Sequence, residues 1–299
     1  MTRRQLLLAP LFTQIEFAQT QRVRLIDTHV HLFSADTRQF PFSKAAPYHP
    51  EPLAVEDYVK FAPAAGIEHA VIVHPEPYQD DHSYLEYCFA KEPSSGFFKG
   101  TCLFDPLRPG TPARMKELLR RNPGRIVALR IHEMHGPGTP PATNGPIKDR
   151  DLQSEAMRNT WRAAASLGLM IQMHFLPAYA PQIGKLAAEF PEMNVILDHL
   201  GRGWQGSAED FNGVLALSRH KQIVIKVAEI PALTTKPLIR QAYAAFGPDR
   251  MIWGDLGHDA DALQKQLRFF TALFDFAPAE ALEKMRFRNA QALFHFPRS

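Results

Sequence analysis

From residue 22 onward the chain alternates short apolar runs with longer amphipathic ones, and no other feature narrows the fold so far. The apolar runs are Val23–Phe33, His69–His74, Phe97–Asp105, Val127–Glu133, Leu169–Phe175, Val195–His199, Ile223–Glu229 and Met251–Asp255. They have the length and β-branched content of strands. Helical patterns separate them: Val55–Ala65, Tyr84–Lys91, Pro112–Arg121, Ser154–Leu167, Ala180–Phe190, Ala208–Arg219, Lys236–Phe246 and Asp259–Phe274, with a closing helix at Pro278–Leu293. Gly66, Gly168 and Gly247 follow helical patterns as stops, and Pro112 opens a helix where its missing N–H costs nothing. Eight strand-then-helix units in roughly 275 residues is the arithmetic of a (β/α)8 TIM barrel, here with an extra C-terminal helix. A doubly wound sheet would carry a glycine-rich phosphate turn after its first strand, and neither GxGxxG nor GxxxxGKS/T occurs.

Residues 22–299 read as one domain, because nothing in them looks like a linker. The Pro/Gly-rich stretches Ser34–Pro52 and Met134–Pro146 each follow a strand and precede a helix. In a barrel such loops lie on the catalytic face, so they are expected to act as lids. Residues 1–21 stand outside the repeat. Their Thr2-Arg3-Arg4 followed by Leu6-Leu7-Leu8 resembles a twin-arginine export signal, but Pro10, Thr13, Gln14 and Glu16 break the apolar run. An N-terminal extension on a cytoplasmic protein and an export signal both stay open.

The bulk numbers exclude several classes. A net charge of +3 with scattered basic residues gives no footprint for nucleic acid. No apolar stretch approaches the ~18 residues of a membrane span. Two cysteines, Cys88 and Cys102, make no disulfide framework and no CxxC motif, and are expected as buried thiols. The partner expected is a small-molecule substrate, with homo-oligomer formation left open.

Of 13 histidines, six fall near the C-terminal ends of expected strands: His29, His31, His74, His132, His174 and His199. Barrel chemistry takes place at that end. Residues two apart on a strand share a face. Asp27, His29 and His31 would then oppose Ile26, Thr28 and Val30. Arg130 and His132, Gln172 and His174, and Lys226 likewise oppose apolar neighbours, and Asp255 shares a face with Trp253 and Met251. If the apolar faces meet the helices, the polar ones converge on one mouth. Any one of these histidines alone is as readily an interior hydrogen-bonding residue. The whole set at one end is not.

This constellation resembles the amidohydrolase superfamily, in particular the amidohydrolase-related group containing sugar-lactone and dicarboxylate lactonases. The residues that carry it are His29-Val30-His31, His174, Asp198-His199-Leu200-Gly201, Trp253-Gly254-Asp255 and the closing Arg288-Asn289-Ala290-Gln291-Ala292-Leu293-Phe294. The resemblance implies a divalent metal, Zn²⁺ foremost, on His29, His31, His174 and Asp255. His174 and His199 would bind metal or hold the substrate carbonyl, and Asp255 would activate water. Imidazoles with one carboxylate suit such an ion, and an Asp beside a bound water can take its proton. Members of the group also work without metal, the histidines then polarising the carbonyl directly. The chain departs from the group after strand 8, where Gly254-Asp255-Leu256-Gly257-His258 replaces G-S-D-W-P, and on strand 7, where Lys226-Val227-Ala228-Glu229 replaces K-x-S-G. Both departures bear on substrate.

Arg130 and Lys226 are expected in the mouth, where they favour an acidic or polyhydroxylated substrate; the alternative is an internal ion pair, for example with Glu133 or Glu229. His132, His74, His258 and Tyr48 complete the expected substrate contacts. Phe40, Phe42, Tyr48 and His49 either cover the substrate or pack within their loop. The expectation is thus a hydrolase opening a lactone or related cyclic ester or amide. The alternatives are a metal-dependent non-oxidative decarboxylase or hydratase of an unsaturated or aromatic acid, and a degenerate barrel without catalysis.

Overall fold

The computed structural model describes residues 23–133, 151–228, 236–255 and 259–297. Eight parallel strands form one sheet in chain order. They are β1 Leu25–Val30, β2 Ile67–Ile72, β3 Phe98–Leu103, β4 Ile126–Glu133, β5 Met170–Phe175, β6 Val195–Leu197, β7 Ile223–Val227 and β8 Met251–Trp253. The helices between them are α1 Val55–Phe61, α2 Ser83–Ala90, α3 Thr111–Arg121, α4 Glu155–Ser166, α5 Ala180–Glu189, α6 Ala208–Ala216, α7 Lys236–Phe246 and α8 Ala260–Leu273. Ser154 caps α4 by accepting from the Met157 N–H, and Ser207 with Asp210 forms a capping box on α6. Gly168 and Gly247, with φ of 71° each, end their helices in the left-handed conformation that favours glycine. Among the described residues no helix is long and apolar enough to cross a membrane.

Two apolar layers build the barrel. The outer one packs strand residues such as Leu129, Ile131, Ile171, Met173, Ile225 and Trp253 against Tyr58, Trp161, Phe211 and Phe270 of the helices. The inner one is a floor of Ile26, Val71, Ala128, Met170, Ile196, Val224 and Ile252, one residue from each of seven strands. Phe287, Ala290, Phe294 and Phe296 of the C-terminal segment close that floor. This segment runs through α9 Ala279–Glu283, a π-helical turn Lys284–Arg288 and α10 Asn289–Leu293, so the extra C-terminal helix plugs the end opposite the strand C-termini. Phe294 is 1% exposed, and truncating such a side chain to alanine typically costs about 3–5 kcal/mol. Cys88 and Cys102 are buried free thiols in the outer layer.

Strict alternation fails on β1. Asp27 pairs with Ala70 and Val30 with Ile72, so three steps of β1 face two of β2. The extra residue is a β-bulge, which switches the face of everything after it. Ile26 therefore lies on the barrel floor, and Asp27 points outward to accept a 2.9 Å hydrogen bond from Tyr58 Oη on α1. Asp27 does not share the mouth with His29 and His31. Met251 and Trp253 also turn outward, so Asp255 does not reach the site by alternation along β8. The seam between β8 and β1 is bridged by Thr28 Oγ1 donating to the Trp253 carbonyl (2.7 Å) and the Asp255 N–H donating to Asp27 Oδ1 (2.9 Å).

The 34–52 loop is packed in place. Phe33 and Leu53 form an antiparallel bridge at its base, Phe40 is buried against Tyr84 and Tyr87, and Phe42 lies 5.1 Å from Tyr78 between ring centres. The second expected lid, Met134–Pro146, lies outside the described residues.

Candidate active site

The barrel interior rises in layers from its floor. Two residues beyond Ala128, Met170, Ile196 and Val224 stand Arg130, Gln172, Asp198 and Lys226. All four are buried, at 3% exposure or less. Asp198 is their hub. Its Oδ2 accepts from Arg130 Nε (3.1 Å) and Gln172 Nε2 (3.0 Å), and its Oδ1 lies 3.3 Å from Lys226 Nζ. Burial alone would raise the Asp198 carboxyl, but Lys226 and then Arg130 hold it well below the usual carboxylate range. Burial brings Lys226 down to about 8 despite the attraction of Asp198. Arg130 and Lys226 thus form internal ion pairs, with Asp198 as their partner in place of Glu133; Glu229 lies outside the described residues.

Imidazoles lie above this layer. His29 and His31 have ring centres 4.9 Å apart, His29 and His199 4.7 Å, His199 and His174 5.1 Å, and His174 and His132 4.8 Å. Main-chain carbonyls set two of the tautomers: His31 Nδ1 donates to Val73 O (2.7 Å) and His199 Nδ1 to Ala228 O (2.9 Å). In each ring Nε2 is then the lone-pair nitrogen. Burial pushes His31 down to about 3 and holds His29 and His174 well below the ordinary histidine range, with nearby Lys226 and Arg130 adding to the effect. His29, His31 and His174 are thus neutral members of a row of five imidazoles.

A left-handed turn carries two of its members. His199, Leu200, Gly201 and Arg202 follow β6 with φ between 51° and 59°. Such a conformation costs an L-residue roughly 1–2 kcal/mol, and strain of this kind concentrates at functional sites. Packing on α6 holds the turn down: a Cβ at Gly201 would fall 2.5 Å from Val214, and one at Gly203 2.2 Å from Phe211. The turn brings Arg202 Nη1 to His174 Nε2 (2.9 Å), while its Nε donates to Gln205 (2.7 Å). Sequence reasoning passed over Arg202. The glycines on either side of it were the available signal, because they permit close packing under an otherwise strained turn.

Gly254 has a matching reason on β8, where a Cβ would lie 2.6 Å from the Cβ of His29. The buried Asp255 follows it, its N–H on the Asp27 oxygen that also accepts from the His29 N–H (2.9 Å). Asp27 therefore ties His29 and Asp255 together from behind.

Of the expected site residues, His29, His31, His132, His174 and His199 come together, Arg130 and Lys226 lie one layer below, and Asp255 joins through Asp27. His74 stands apart. It is stacked 4.2 Å from His82, donates from Nε2 to the Gln79 carbonyl (2.9 Å), and burial brings it down to about 4. Tyr48 is 43% exposed, and His258 lies outside the described residues.

The imidazoles have the spacing for a metal. His29 Nε2 and His31 Nε2 are 3.3 Å apart; two nitrogens bound at about 2.0–2.1 Å to one tetrahedral zinc would lie roughly 3.4 Å apart. Ligand atoms of His29, Asp198 and His199 also lie within 4.8 Å of one another. Asp198 Oδ2 already accepts from Arg130 and Gln172, while Oδ1 makes an ion-pair contact with Lys226 and no hydrogen bond among the described residues.

The amidohydrolase family profile matches residues 26–296. The chain is similar to 4-sulfomuconolactone hydrolase of Hydrogenophaga intermedia, 27% identical over 272 residues that span 85% of this chain and 82% of that protein. A solved structure from Pseudomonas putida, described as a 2-pyrone-4,6-dicarboxylic acid hydrolase, superposes with a TM-score of 0.72 at 22% identity, covering 93% of this chain and 99% of that one. An amidohydrolase from Burkholderia multivorans with bound zinc gives 0.66 at 13% identity, covering 92% and 100%. The two structures share the fold.

Proposed function

The chain belongs to the amidohydrolase family, and on that premise we propose that it opens the lactone ring of a small anionic molecule. The observation that carries this reading is the Arg202–His174 contact, which sets a guanidinium beside the imidazoles at the barrel mouth. A guanidinium binds a carboxylate or sulfonate through two parallel hydrogen bonds. The names of the two lactone hydrolases similar to this chain both describe acidic lactones.

The chemistry follows from the residues. The lactone sits at the mouth beside His174 and His199, and Arg202 takes the acidic substituent. Asp255 removes a proton from the attacking water and returns it to the ring oxygen as that bond breaks. The low dielectric of the buried site strengthens each of these contacts. For a divalent metal, zinc foremost, His29, His31 and His199 present donors, with His174 and Asp255 completing the set that the family likeness implies. Such an ion polarises the carbonyl and lowers the pKa of a bound water.

The test is a panel of lactones matched in ring size, with and without a carboxylate or sulfonate, assayed on the wild type and Arg202→Ala. The anionic members are expected to turn over at least ~10²-fold more efficiently, and Arg202→Ala to remove most of that preference. Equal turnover of charged and neutral lactones, or release of CO₂ in place of ring opening, would sink the reading.

A further inference from the structure

The ammonium of Lys226 has three hydrogens, and three acceptors stand around it among the described residues. They are the Thr28 carbonyl at 2.8 Å, Asp198 Oδ1 at 3.3 Å and His29 Nδ1 at 3.5 Å. An ammonium only donates, so in its contact with Lys226 the His29 Nδ1 is an acceptor and the proton of the neutral ring sits on Nε2; Asp198 Oδ1 is an ion-pair partner without a hydrogen bond among the described residues. That nitrogen faces His31 Nε2 at 3.3 Å. His31 Nε2 is free to accept, because its Nδ1 proton is committed to Val73 O. The result is one directed chain of donors: Lys226 to His29, His29 to His31, His31 to the main chain.

We propose that Lys226 is a positioning residue that fixes the His29 tautomer and so makes the histidine pair a hydrogen-bonded pair in preference to a metal clamp. A metal on His29 Nε2 needs a lone pair there, so the proton must move to Nδ1. On that side the ammonium stands closer than any acceptor among the described residues: Asp198 Oδ1 is 3.7 Å from Nδ1, beyond hydrogen-bonding reach. A divalent ion would also share the buried site with the Lys226 charge. Spacing at the pair therefore suits a metal while the proton pattern opposes one, and Lys226 is what separates the two. Partners behind a ligating histidine commonly change metal affinity by about 10–100-fold.

The inference rests on the assignment of His29 and His31 to the site, and its readouts need no substrate, so they are independent of the lactone assignment. Protein labelled with nitrogen-15 histidine and stripped with chelator is examined by NMR, His29 being identified by its loss in His29→Asn. The expected pattern is a neutral ring protonated at Nε2. In parallel, Zn²⁺ affinity is measured by competition with a chromophoric chelator for wild type and Lys226→Met, and is expected to be at least ~10-fold tighter in the variant. Should Lys226→Met fail to fold, Lys226→Met with Asp198→Asn removes both charges together and is expected to show the same gain. A His29 ring protonated at Nδ1 in the stripped protein, or zinc affinity unchanged or weaker without Lys226, overturns the proposal.

Discussion

Gly254 lies so close to His29 that a Cβ on the glycine would fall 2.6 Å from the histidine Cβ. No rotamer relieves such a contact, because both atoms are tied to backbone. Gly254→Ala must therefore push the end of β8 away from β1. We expect a loss of about 1–3 kcal/mol, the usual range for overpacking, and a larger fall in turnover than the stability loss explains. Urea unfolding beside steady-state kinetics checks this; normal activity in a folded variant would show that the close approach is immaterial.

Tyr58 tests the support behind the site. Its hydroxyl donates to Asp27 Oδ2, while Asp27 Oδ1 separately accepts from the His29 and Asp255 N–H groups. Tyr58→Phe removes one hydrogen bond to a buried charged group and should cost about 1.5–3 kcal/mol. The other oxygen keeps the two strand ends in place, so kcat should stay within a few-fold of wild type. Collapse of kcat would mean that Tyr58 orients the chemistry itself.

Arg202 separates charge from shape. Arg202→Lys keeps the positive charge but loses the planar fork that can hold His174 and an anion together. KM for an anionic lactone should rise about 10-fold or more in Arg202→Lys and further in Arg202→Ala, with kcat less affected. Equal KM values for wild type and both variants would remove Arg202 from the substrate site.

The imidazoles predict an acid-labile fold. Burial takes His31 to about 3 and His74 to about 4 from the ordinary value of 6.5, and holds His29, His82 and His174 well below that value. The unfolded chain then binds more protons than the folded one below pH 6.5, so stability falls as pH falls. The loss starts near 6.5 and continues until the folded groups themselves titrate, toward 4 and 3. Asp27, raised by burial, works the other way in the carboxylate range. The urea midpoint should therefore drop steadily between pH 6.5 and 4; a flat midpoint across that window contradicts neutral buried histidines.

Much of the architecture was legible because parallel strands buried on both faces read as apolar runs, and helix stops carry glycine. All eight strands and the closing helix lie where the periodicity puts them. Faces were less legible. Pairing with β2 introduces one extra residue on β1, which no count along β1 reveals, and it sends Asp27 outward to Tyr58. Asp198 could be read as part of a motif, yet its role as hub for Arg130, Gln172 and Lys226 depends on four strands converging in space. Arg202 escaped notice because its turn is left-handed, a conformation sustained by Val214 and Phe211 packing on Gly201 and Gly203. His74 has the right strand end but an imidazole partner, His82, that draws it elsewhere.

The most direct test of lactone opening is turnover of a carboxylated or sulfonated lactone in oxygen-18 water, with product mass and rate followed for wild type, Asp255→Asn and His31→Ala. The account predicts one oxygen-18 atom in the newly formed carboxylate and rates at least ~10²-fold lower in both variants. A product that has lost CO₂, or variants as fast as the wild type, would contradict it.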